Sequence, residues 1–217
     1  MAKNIYFDSS CFVVQKNGKI NAKKRINDIV KKNISEERFV HSQSVAQLSY
    51  DIAVKHNLKD PLKYFFAGLT HDIAKFIDKN KERELMNTVV EKKYQCVDEY
   101  AFHSFIAPFI LKSEFNITDS QILNAVRFHC TGKKTMSTME KVIYASDKID
   151  PSRGYDSSDM IYAMMNMSIN KGFVYVLNKN KEFLDNKKNK FNENVFSIEC
   201  FDHYLGTNTS DGKIIKQ

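Results

Sequence analysis

The sequence predicts an all-α protein: one helical bundle behind a short N-terminal arm. Three observations predict it. Glycine (7) and proline (3) are scarce among 217 residues, so little in the chain breaks a helix. Apolar residues recur at spacings of three and four over most of the length. Polar N-cap signals stand ahead of several of these stretches, as in Ser137-Thr138-Met139-Glu140.

Taken in order, residues 1–20 are the exception. Ile5-Tyr6-Phe7 and Cys11-Phe12-Val13-Val14 are short β-like runs, and Asn17-Gly18 is a turn signal, so the arm reads as a small hairpin or a loose segment. The bundle covers residues 21–205, with helices beginning near Lys23. Val45, Leu48 and Ile52 form one apolar stripe, and His41 shares it. A second helix is expected from Pro61 to Ile77, with Phe65, Leu69, Ile73 and Phe76 inward and Pro61 in its first turn. Further helices are expected over 81–93 and 101–114. Pro108 marks either a late start or a kink in the latter. Thr118-Asp119-Ser120-Gln121 reads as a cap opening a helix to about His129, and Ser137 opens another to about Ile149. Helices over 158–177 and 194–205 complete the bundle. Residues 206–217, rich in Thr, Asn, Ser and Gly, read as a flexible tail.

Hydrophobic residues (42%) suffice for a sizeable core, but no apolar run approaches the roughly 18 residues of a membrane span. No apolar signal core follows Met1-Ala2-Lys3-Asn4, so a cytoplasmic protein without a membrane partner is expected. Cys11, Cys96, Cys130 and Cys200 form no CxxC pair, which argues against a zinc finger and for free thiols. The net charge of +7 would suit a polyanionic substrate. Because the lysines are spread along the whole chain, they read mostly as solvated helix faces, and no nucleic-acid partner is expected. An apolar face of the fourth or final helix would serve either a homodimer or the core.

The chemistry gathers in His41, His71, Asp72, His103, His129 and Asp147. One histidine on an apolar face is ordinarily a hydrogen-bonded core residue, and an isolated His-Asp pair is weak evidence. Four His and two Asp on inward stripes are costly to bury unless they share partners. Metal ligation satisfies all six together, and helices bring such ligands into a bundle core from distant positions. Iron, manganese and zinc all accept such a set, so ligand type alone does not choose the metal. His56, at a helix end, reads as an interaction with the helix dipole, and His203 carries no assigned role.

The ordered segments Arg38-Phe39-Val40-His41-Ser42, His71-Asp72-Ile73-Ala74-Lys75, His103, Arg127-Phe128-His129-Cys130-Thr131-Gly132 and Ser146-Asp147-Lys148-Ile149-Asp150-Pro151-Ser152-Arg153-Gly154-Tyr155 resemble the YqeK family of the HD superfamily. The resemblance spans about residues 21–205 and implies an HD-domain bundle with symmetrical bis(5′-nucleosyl)-tetraphosphatase activity, splitting diadenosine tetraphosphate into two ADP. It implies His41, His71, Asp72, His103, His129 and Asp147 as metal ligands. The implied metal is iron, as a di-iron centre, with manganese or another divalent ion as the alternative. Asp72 and Lys75 are the implied catalytic residues. Lys75 and Arg153 match phosphate contacts, and His41, Asp72, His103, His129, Cys130 and Asp147 fall where the family meets its nucleotide. Lys190, Phe191, Asn192 and Asn194 align loosely with a segment that closes over it. Cys130 stands where the family usually has Thr, the closing segment lacks the family's Gly, His and Pro, and the first twenty residues have no counterpart.

The expected mechanism is in-line attack of a metal-bound hydroxide on phosphorus. Lys75, Arg153 and Arg127 or Lys133 stabilise the charge that develops, the last two reading equally as simple surface charge. Arg38 reads as a structural ion pair. Three alternatives stay open at this point: another HD phosphohydrolase acting on a nucleoside monophosphate, a dNTP or a guanosine alarmone; a di-iron oxygenase; and a non-enzymatic nucleotide sensor.

Overall fold

The computed structural model describes residues 34–151, 156–186 and 194–206, and the backbone of two short strands. β1 (Phe12–Val14) and β2 (Ile20–Ala22) pair antiparallel, with Phe12 opposite Ala22 and Val14 opposite Ile20. Arg153, Lys190, Phe191 and Asn192 lie outside the described residues, as do residues 207–217 of the expected tail.

The described bundle runs α1 (Glu36–Lys55), α2 (Pro61–Thr70), α3 (Lys79–Thr88), α4 (Phe102–Phe115), α5 (Ser120–Arg127), α6 (Thr138–Ile149), α7 (Ser158–Asn166), α8 (Ile169–Asn186) and α9 (Val195–Leu205). Single 3₁₀ turns at Lys92–Tyr94 and Glu99–Ala101 join α3 to α4. None of these helices is long and apolar enough to cross a membrane.

Ser35 caps α1 by accepting from the Arg38 amide, and Glu36 and Glu37 place negative charge at its positive end. One face then buries Phe39, His41, Val45, Ala46, Ile52 and Ala53. α2 lies against α1 at very short range. A Cβ added at Gly68 would stand 2.8 Å from the Ala46 Cα, so glycine here sets the helix separation, and with it how near the end of α2 comes to His41. α6 is the central helix. It packs against α1, α2, α5 and α8 and is buried almost all round, from Met139 to Ile149. Its start is the full capping box expected from Ser137 and Glu140: each side chain meets the other's backbone amide.

Several boundaries differ from expectation. α2 stops at Thr70 rather than Ile77. Residues 71–77 continue as tight turns with bonds three residues back, such as Lys75 N to Asp72 O at 2.9 Å. The change of period breaks the helical phase, so Ile73 is buried while Phe76 is 51% exposed. α3 ends at Thr88, short of residue 93. Pro108 lies inside a continuous α4, where it neither delays the start nor interrupts the helix. The cap of α5 is Asp119, which accepts from the Gln121 and Ile122 amides, not Thr118, and the helix ends before His129. The single helix expected over 158–177 is two. Met167 is extended, and Ser168 starts α8 by accepting from the Lys171 amide. His56 is the C-cap of α1, as its expected place at a helix end requires, and its Nε2 also donates to the Met164 carbonyl at 2.7 Å, tying α1 to α7.

Candidate metal centre

The ligand residues arrive from two kinds of position. His41 projects from α1, His103 from the first turn of α4 and Asp147 from the last turn of α6. His71 and Asp72 sit in the turns directly after α2, and His129 in the turn directly after α5. Both turn histidines are oriented the same way. His71 Nδ1 donates to the Gly68 carbonyl and His129 Nδ1 to the Val126 carbonyl, each at 2.7 Å. Each bond fixes the ring and turns Nε2 inward, the habit of a metal-binding imidazole. Gly132 closes the second turn at φ +66°, and an added Cβ there would run into the Cys200 sulfur at 2.6 Å.

All six candidate ligands are 6% exposed or less, so water does not satisfy them. Their rings form a chain of edge-to-face neighbours: His41 to His71, His71 to His129 and His129 to His103, with centroids 4.8–5.3 Å apart. Two donor groups share this chain. In one, Asp147 Oδ1 lies 3.1 Å from His41 Nε2 and 3.7 Å from His71 Nε2. In the other, Asp72 Oδ1 lies 3.3 Å from His103 Nε2 and 3.5 Å from His129 Nε2. Asp72 also joins the groups, since its Oδ2 is 3.7 Å from His71 Nε2.

The donor set fits divalent cations. Among the described residues His71 Nε2 is fully buried without a hydrogen-bond partner, and it faces carboxylate oxygens of both Asp72 and Asp147. Burial holds this imidazole down to about 4, against the pull of the two carboxylates, so the ring is neutral and Nε2 carries a lone pair. A lone pair aimed at two anions is repulsive unless a cation stands between them. Burial also opposes charge on Asp72, but the hydrogen bonds of His103 and His129 outweigh it and hold the carboxyl well below the usual carboxylate range. His41, His71 and Asp147 would hold one ion, His103 and His129 a second, and Asp72 could serve both.

The centre forms the floor of a cavity of about 330 Å³, within the usual range of small-ligand sites. Of the expected substrate residues, Asp72, Lys75, His103, His129, Cys130 and Asp147 line it. His41 does not. Asn194 is also not in the lining: it is the N-cap of α9, accepting from the Phe196 amide, and Ser197 and Phe201 of that helix face the cavity instead. Arg127 and Lys133 are turned elsewhere, Arg127 over the Tyr94 ring and onto Asn124, Lys133 onto Glu140. Arg38 makes the expected ion pair, but its partner is Asp72 at 3.0 Å, which puts it in the site.

Two residues were missed. One is Lys148. It lines the cavity, 2.8 Å from Asp147 Oδ2. Asp150 is fully buried, takes the Ser44 hydroxyl on one oxygen and lies 2.6 Å from His41 Nδ1 with the other. It thereby directs His41 Nε2 toward Asp147. The i,i+3 spacing of Asp147 and Asp150 was the available signal, since it puts both carboxylates on one side of a helix end. Asp150→Asn should keep the fold and weaken metal binding by roughly 10–100-fold, the usual cost of a lost outer partner. Titration of the apoprotein with a divalent metal tests this, and an unchanged affinity would remove Asp150 from the centre.

The HD domain family matches residues 38–152, a stretch that holds all six candidate ligands. The chain belongs to the HD-domain family. More narrowly, it is similar to the symmetrical bis(5′-nucleosyl)-tetraphosphatase of Halalkalibacterium halodurans, at 30% identity over 72% of this chain and 83% of that protein. The protein of the same name from Staphylococcus aureus is 27% identical over 86% of this chain and 94% of its own length. The crystal structure of a predicted HD superfamily hydrolase involved in NAD metabolism from Clostridium acetobutylicum superposes with a TM-score of 0.74. It is 28% identical, over 86% of this chain and 98% of that one.

Proposed function

We propose that this HD-domain enzyme is a symmetrical bis(5′-nucleosyl)-tetraphosphatase that hydrolyses diadenosine tetraphosphate to two ADP at a di-iron centre. The observation that carries the reading is Asp72, one oxygen toward His103 and His129 and the other toward His71, at the floor of a cavity ringed by cationic side chains. The named relatives, which this chain matches over most of their length, support the substrate. The imidazole and carboxylate donors support iron, with manganese as the alternative.

Divalent ions held by His41, His71, Asp72, His103, His129 and Asp147 would supply hydroxide near neutral pH. The protein's own part is to position phosphate and absorb charge. Lys75, Lys148 and Arg38 enter the cavity from three separate elements, and each presents fixed positive charge to a polyphosphate chain. Arg153 belongs to the same set by resemblance. ADP leaves as a stable anion, so no strong general acid is required. Phe183 of α8, 53% exposed at the cavity wall, offers an aromatic face to a base. The free thiols Cys96, Cys130 and Cys200 support a cytoplasmic setting.

The test is an anaerobic assay of iron-loaded protein with diadenosine tetraphosphate, products separated by ion exchange. Two ADP per substrate is the expected result. ATP plus AMP would overturn symmetrical cleavage, and no product at full iron occupancy would overturn the substrate.

A further inference from the structure

We propose that Cys130 is a thiolate ligand of the second metal position, beside His103 and His129. This rests on the metal-centre reading above and adds to it a ligand that the family resemblance does not supply, since Thr is usual at this position.

The inference comes from the distances among donor atoms. Cys130 Sγ lies 3.3 Å from His103 Nε2 and 3.3 Å from His129 Nε2. The same two nitrogens lie 3.3 and 3.5 Å from Asp72 Oδ1. Around a tetrahedral ion with metal–nitrogen and metal–oxygen bonds of about 2.0–2.1 Å and a metal–sulfur bond of about 2.3 Å, neighbouring donors stand roughly 3.3–3.6 Å apart. The sulfur and the two imidazole nitrogens are thus spaced as neighbouring donors of one ion, and the three residues form one potential ligand group.

Hydrogen bonding alone explains this spacing poorly. His129 Nδ1–H is committed to the Val126 carbonyl, so Nε2 is the atom left to meet both the sulfur and Asp72. With His103 Nδ1 meeting Lys75 Nζ, His103 Nε2 carries its own proton and the thiol proton serves His129 Nε2, whose lone pair then still faces Asp72 Oδ1 at 3.5 Å. A single cation serves both imidazole nitrogens and the sulfur. The turn that presents His129 presents Cys130 as well, and its position is set by Gly132 packing on Cys200. A hydroxyl here would be a hard, weak ligand. A thiolate makes this position softer than the His41–His71–Asp147 position, and favours zinc or ferrous iron there over manganese or magnesium.

Cobalt(II) titration of the full-length apoprotein, followed by optical spectroscopy, tests the assignment. The expected result is a near-ultraviolet sulfur-to-cobalt charge-transfer band in the wild type. In Cys130→Ser that band is absent, while the visible ligand-field bands of cobalt held by histidine remain. The variant should bind the second equivalent more weakly by at least the ~10–100-fold typical of a lost supporting group. As a second measurement on wild type, bound metal should protect Cys130 from iodoacetamide, read by peptide mass spectrometry. Exposed Cys96 should react equally with and without metal. Ligand-field bands without a charge-transfer band, together with unprotected Cys130, would overturn the thiolate ligand and leave the metal centre standing. Failure of wild type to bind cobalt at all would overturn both.

Discussion

Asp72→Ala should bind little or no metal and lose activity by on the order of 10⁴-fold or more, the scale seen when a catalytic unit is broken. The expectation follows from how much converges on this one carboxylate. It is within 3.0–3.7 Å of Arg38, His71, His103 and His129, and it joins two donor groups that otherwise share only neighbouring rings. Alanine leaves three imidazoles and a guanidinium around an uncharged gap, so a divalent cation would meet positive charge where it now meets an anion. The fold should survive. Breaking a buried ion pair is costly chiefly when the remaining charge cannot be discharged, and imidazoles can lose their protons. Metal analysis, thermal unfolding and turnover on the same preparation test all three statements. A metal-replete, active Asp72→Ala protein would sink the site assignment.

Lys75→Ala should retain its metal and lose kcat by about 10²–10³-fold, the usual cost of removing one charge-stabilising donor from the transition state. Lys75 Nζ lies over the edge of the His103 ring, 3.3 and 3.4 Å from its two nitrogens, and lines the cavity without a carboxylate contact of 4 Å or less among the described ion pairs. That position suits an incoming phosphoryl oxygen better than a structural bridge. Its backbone amide closes the tight turn on the Asp72 carbonyl, so the ligand and the cation are delivered by one short segment. Steady-state kinetics separates the two roles it could have. A loss confined to KM would make Lys75 a ground-state phosphate contact, and unchanged kcat and KM would remove it from the mechanism. Lys75→Arg should recover part of the loss, because charge is retained while its geometry changes.

What was legible in the sequence was what depends on neighbours along the chain. Helical content follows from period, from few breakers and from caps such as Ser137 with Glu140, all within one or two turns. That these His and Asp side chains gather in one buried cluster was legible too, because the cost of burying several of them apart holds whatever their arrangement. Boundaries were less so. The end of α2 and the start of α8 depend on turns whose bonds reach three residues rather than four, and composition does not distinguish them.

The sequence by itself determined that this is a helical protein with a buried His/Asp centre. Tertiary structure alone decided how the centre is wired. Asp150 meets His41 across 109 positions, Arg38 meets Asp72 across 34, and Cys130 meets His103 across 27. It also decided that Lys148 turns into the cavity while Arg127 and Lys133 turn away. The physical reason is that period and capping energies act within a few residues, whereas the direction of a side chain into a shared centre is set by helix separation and rotation. Those are fixed by close packing, here by contacts such as Gly68 on Ala46 and Gly132 on Cys200.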